Sequence, residues 1–184
     1  MTSVSSENPK SERLSRAWSR VTSGELAIRE NTVRRIARLL EKSIRLTSPD
    51  QEQIIATLHE AARSGSFSAV YHAGRVLANA RHLHPVQQHG LCNIIKYVAP
   101  SDPDAAISIV AHVFERGVVQ DERVRKALLE LLSSCLPWAT SPVIIKDAQE
   151  YLGSCNLRDD EKTSWDDIKA TIRSSLSFSN MTPA

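Results

Sequence analysis

Four apolar helical patterns begin at Phe67, Pro85, Pro103 and Asp121, each 18 residues after the one before it. One helix and one tight turn fill that interval, so a helix pair recurs every 36 residues. A pair of that size cannot bury its apolar face alone and must lean on its neighbours, which is the logic of an α-solenoid. The spacing therefore predicts an all-α fold, a right-handed superhelical stack of antiparallel helix pairs with about eight or nine helices. Only 5% of the residues are aromatic. The core must then come mainly from Leu, Ile, Val and Ala, a palette suited to close helix packing.

Punctuation supports the helix count. In Ser48-Pro49-Asp50-Gln51, Ser48 is expected to cap the open backbone N–H groups. Pro49 would take the first helical position and Gln51 would complete a capping box. A capping side chain followed by proline returns at His84-Pro85, Asp102-Pro103 and Ser141-Pro142. Gly65 and Gly117 stand where left-handed stops belong. The inward stripes are predicted to be Ile54, Leu58 and Ala61; then Val70, Tyr71, Gly74 and Leu77; then Leu91, Ile94 and Ile95. Next come Ile107, Val110 and Phe114, followed by Val124, Leu128 and Leu132. Gly74 and Ala73 would let a neighbouring helix come close.

The chain divides accordingly. Residues 1–11 read as a disordered Ser-rich tail, too poor in large apolar groups to offset the entropy of ordering. Residues 12–176 read as one helical domain and 177–184 as a frayed tail. Within the domain, 12–46 form basic N-terminal helices, 49–152 the repeat block and 158–176 a last helix. The first 48 residues carry ten Lys or Arg against five Asp or Glu, while the remainder carries thirteen against sixteen. Only the beginning of the chain is clearly basic.

The period and patterning from about Pro49 to Leu152 resemble the HEAT/armadillo and tetratricopeptide classes of helical repeat. The tetratricopeptide signature of Trp, Leu-Gly and Tyr is not supplied by 66–80 or 102–116. The resemblance implies a binding scaffold, since such proteins hold partners in a groove or on an exposed helix face. It transfers no site residue.

Several constellations admit chemistry. His82, His84, His89 and Cys92 are zinc-ligand types close in sequence. Their spacing is poor, and Cys92 belongs to the core stripe beside Leu91. His89 and Cys92 could pair as base and nucleophile, but a working thiolate needs an exposed, electropositive setting. Asp159, Asp160 and Glu161 suit the positive end of the last helix, with Asp166 and Asp167 on its wet face. No phosphate-cradling glycine motif occurs. We therefore expect no enzyme, no metal and no cofactor.

Two surfaces remain. If the helices after Pro85 and Asp121 are equivalent, they line one face, with Gln88, Asn93, Lys96, Arg123, Lys126 and Glu130 pointing outward. That mixed polar face suits a protein or peptide. The other surface is the basic face Arg34, Arg35, Arg38, Lys42 and Arg45, predicted to be partly paired with Glu30 and Glu41. It could meet a nucleic-acid backbone or an acidic membrane surface, although patterning offers no exposed aromatic platform for bases. The first expectation is a non-enzymatic interaction module, an adaptor, chaperone or structural subunit. The alternative is a regulatory nucleic-acid-binding protein. Three cysteines without C-x-x-C spacing, no run approaching a membrane span and no apolar leader centre suggest a soluble protein of the reducing cytoplasm.

Overall fold

A computed structural model describes residues 26–42, 46–155 and 157–179, with burial defined for 29–42, 46–155 and 157–170. Among these are eight α-helices and one short 3-10 turn. The helices are α1 (Leu26–Lys42), α2 (Ser48–Arg63), α3 (Phe67–Asn79), α4 (Pro85–Ile95), α5 (Pro103–Arg116), α6 (Glu122–Cys135), α7 (Pro142–Ser154) and α8 (Asp159–Ser179). The 3-10 turn is Leu136–Trp138. The described residues contain no strand. The helix expected from Glu12 and the tail 1–11 lie outside the described residues. The last helix continues to Ser179, past its predicted end at Leu176.

Side chains set the helix starts as expected, with one shift in register. Thr47, not Ser48, caps α2: Thr47 Oγ1 accepts from Asp50 N at 3.4 Å, and Thr47 N donates to Asp50 Oδ2 at 3.2 Å. Ser48 becomes the first helical residue and donates to Glu52. Gln51 does not close the box; it is buried and its Nε2 donates to Leu46 O at 3.4 Å. Pro49 loses nothing one position further in, because the first four N–H groups of a helix have no intrahelical partner. The same arrangement recurs 37 residues later. His84 caps α4, Gln87 closes its box, and Gln88 Nε2 donates to Leu83 O at 3.1 Å. Gly65 and Gly117 both take positive φ, +88° and +60°, as helix stops.

The helices form two layers. In one, α1, α3, α5 and α7 pack in succession; in the other, α2, α4, α6 and α8 do. Sequential neighbours α1–α2, α2–α3, α3–α4 and α5–α6 join the layers, and the 3-10 turn rests on α5, α6 and α8. Polar ties between alternate helices keep a similar sequence separation. Glu30 meets Ser66, Asn79 meets Arg116, Asp104 meets Thr140 and Arg125 meets Glu161. Leu40, Leu58, Leu77, Ile94, Ile107, Leu128 and Leu152 are fully buried along the seam. The fold is an all-α helical stack.

Gly74 marks the tightest crossing. A Cβ built there would collide with Ile109 Cγ2 on α5, so α3 and α5 approach through a missing side chain. Tyr71, assigned to the same inward stripe, is 51% exposed instead. Helix α3 has α1, α2, α4 and α5 around it, and the narrow strip left to solvent carries Phe67 and Tyr71.

Candidate functional site

Two grooves open on the layer made by the even-numbered helices. The first, about 530 Å³, runs between α2 and α4. Its floor is apolar, with Ile55 and Ala56 on α2 and Val86 and Gly90 on α4, and Glu52 and Glu60 stand along the α2 side. Gly90 allows the approach: its Cβ would lie 3.1 Å from Ile55 Cγ2. Val86 is 71% exposed. Near one end, Tyr97 Oη meets His59 Nε2 at 3.1 Å, the two rings edge to face.

The second groove, about 460 Å³, lies between α6 and α8. Leu129 and Ile168 supply its apolar part, and Glu122, Glu130, Asp160 and Asp167 make it acidic, with Lys126 among them. Its base is locked. Arg125 Nε and Nη2 donate to Glu161 Oε1 and Oε2 at 2.5 and 2.6 Å, with the side chains 7% and 4% exposed. Arg125 Nη1 also reaches Val119 O, and its guanidinium lies 5.0 Å from the centre of the Phe114 ring. Glu161 accepts Arg158 N as well, closing the first turn of α8. Burial pushes the Glu161 pKa up, but the hydrogen bonds from Arg125 and Arg158 outweigh it and hold the carboxyl below its ordinary 4.5. Asp159 and Asp166 pair with Lys162 and Lys169 one turn on.

The residues expected on one polar face divide between these grooves. Asn93 lines the first; Lys126 and Glu130 line the second. Lys96 and Arg123 are exposed but border neither. Gln88 is not on the surface at all. It is 7% exposed and turned back to the carbonyl of Leu83, because the chain entering α4 leaves a buried acceptor that only a side-chain amide reaches. Arg125 escaped sequence reasoning for the converse reason. As a charged residue it reads as surface, yet Leu129 and Leu132 follow it by four and seven residues on a buried stripe.

Among the described residues, no three His, Cys, Asp or Glu side chains lie where they could hold a metal ion. His84 is occupied as a cap, His89 is exposed and Cys92 is fully buried. Burial pushes the Cys92 thiol up to about 11, which leaves it protonated and unreactive at neutral pH.

The basic face differs from expectation in its partners. Arg34, Arg35, Arg38 and Lys42 are exposed on α1, and Arg45 lies outside the described residues. Glu30 and Glu41 are bonded across to α3 instead. Glu41 receives Arg75 Nη2 and Nε of α3 at 2.6 and 3.1 Å, and Glu30 accepts Ser66 Oγ at 2.7 Å. His72 is buried against this face. Burial, then the charges of Arg75, Arg34 and Arg38, lower its pKa below 6.5. No helix among the described residues is long and apolar enough to cross a membrane.

No protein-family model matches the chain, and no curated protein shows significant similarity to it.

Proposed function

We propose that this chain is a non-enzymatic scaffold of the helical-repeat kind, holding a partner protein along the face built by α2, α4, α6 and α8. The observation that carries this reading is the repeated groove. Twice on that layer, successive helices leave an open channel with apolar side chains within and carboxylates along it. Such a channel fits a partner segment that inserts an aliphatic or aromatic anchor and flanks it with Lys or Arg. The reading takes the stack as a right-handed superhelix, in the manner of HEAT or tetratricopeptide repeats. It also takes the compartment as the reducing cytoplasm, and three free thiols, Cys92, Cys135 and Cys155, fit that choice.

The test is affinity capture from the native cell followed by mass spectrometry, with the full chain as wild type and in three variants. Val86→Asp places a charge in the first groove and Glu130→Lys reverses a carboxylate in the second. Ser108→Glu alters an exposed position on the opposite layer. A partner retained by wild type and Ser108→Glu but lost by Val86→Asp or Glu130→Lys supports the scaffold. A partner held equally by wild type and all three variants sinks it.

A further inference from the structure

The outer face of the other layer has different chemistry. Arg34, Arg38 and Lys42 follow one another four residues apart along α1, about 6 Å of helix axis from one to the next, and all are exposed together with Arg35. No carboxylate among the described residues pairs with these four, and Arg34 Nη2 donates to the amide oxygen of Asn31 at 3.1 Å. Like charges one turn apart on a helix oppose one another, and an anion seated on this face would relieve that.

The bonds of Glu30 and Glu41 to α3 also fix the neighbouring helix. Ser66 lies against Glu30 and Arg75 against Glu41, so α1 and α3 run side by side in the same direction. Between those ties α3 exposes Phe67 and Tyr71, one turn apart and each about half in solvent. Rings of this size normally contribute to a core. Here two of the chain's few aromatics are displayed on the helix beside the arginine row, and the charges of Arg34 and Arg38 reach His72, the residue next to Tyr71.

We propose that the α1–α3 face binds single-stranded nucleic acid. Arg34, Arg35, Arg38 and Lys42 take the phosphates, and unpaired bases stack on Phe67 and Tyr71. Cations that follow a backbone, set beside sequence-tolerant stacking rings, are the two components of such a surface. A duplex keeps its bases away from rings. An anionic lipid surface shares the charge but needs a continuous apolar stripe to insert. The apolar groups here do not form one: Leu39 stands a turn beyond Arg35, and the Arg34–Arg38 row separates it from the rings.

Fluorescence anisotropy with a labelled, mixed-sequence single-stranded oligonucleotide tests this on the full chain. Wild type should bind at low salt and weaken steeply as salt rises. Arg34→Glu/Arg38→Glu should lose about tenfold or more and flatten the salt slope by about one to two. Tyr71→Ala should weaken binding about fivefold or more with the slope unchanged. Arg123→Glu, exposed in the opposite layer and outside both grooves, should bind like wild type. Thermal melts by circular dichroism confirm folding, and Arg34→Gln/Arg38→Gln repeats the test without charge reversal. The inference is overturned by no binding at low salt, or by equal affinity in all forms. It is also overturned if a duplex binds as well with Tyr71→Ala as without. Capture by phosphatidylserine vesicles, with the oligonucleotide left unbound, overturns it in favour of a membrane surface.

Discussion

Arg125 and Glu161 are both buried, and each satisfies the other while also serving a backbone group, Val119 O or Arg158 N. Desolvating two charges costs several kcal/mol per ion, so the pair matters most when it is broken. Arg125→Met leaves a carboxylate buried without its cation and should destabilise by about 3–5 kcal/mol, read from urea denaturation. Arg125→Met with Glu161→Leu should recover most of that loss; equal instability in the single and double variants would mean that the cost is packing alone. The same groups predict the acid response. Glu161 has a folded pKa below its ordinary 4.5, so its contribution is complete above that value and disappears as pH falls through the lower one. His72 also has a lowered pKa, here below 6.5. The unfolded chain then takes up its proton first, and stability declines once pH drops under about 6.5. Melting temperature should therefore fall in two stages on acidification, and His72→Gln should remove the earlier one. A single stage in wild type, confined to carboxylate pH, contradicts the role given to His72.

The helices were legible in the chain because their boundaries are written in local chemistry. Proline and a capping side chain fix a start within a residue or two whatever packs above it, and three of the four regularly spaced starts stand where the pattern placed them. Side-chain direction was less legible. Gln88 and Arg125 are polar residues turned inward toward acceptors that exist only once the chain has folded, and Tyr71 is a large ring turned outward because four helices take the other sides of α3. The grooves share this difficulty, since a channel between helices whose starts lie 37 residues apart has no local signature. Gly74, in contrast, could be read as a close approach, and it yields a sharp comparison with Gly153. Alanine at an exposed helical site gains about 0.5–1 kcal/mol over glycine. Gly153 has no atom within 4 Å of an added Cβ, so Gly153→Ala should stabilise the protein by about that amount. Gly74→Ala earns the same propensity but drives a methyl into Ile109, and should lose about 1–3 kcal/mol net. Ile109→Ala in the same chain should relieve the clash, so that the two changes together cost less than their sum.

In a stack where each helix touches chiefly its sequence neighbours and the next helix of its own layer, stability need not be uniform from end to end. Helices α3, α4, α5 and α6 have a companion on each side within their layer, whereas α7 rests mainly on α5 and α8 on α6 and the 3-10 turn. Amide hydrogen exchange should accordingly be slowest through α3–α6 and faster in α7 and α8. The Arg125–Glu161 pair separates this picture from simple fraying, because it ties α8 to a central helix by a buried contact. Arg125→Met removes that tie at a single point. If coupling passes from neighbour to neighbour, protection should be lost strongly in α8, less in α6, and hardly at all in α1 and α3, which share no contact with the pair. If the protein opens as one cooperative unit, every helix should lose protection by the same factor. Exchange monitored peptide by peptide in the wild type and Arg125→Met distinguishes the two. A uniform loss would show that the layered contacts do not confine unfolding to one end. The graded result would mean that a partner gripping the α6–α8 groove could order that end without altering α1 and α3.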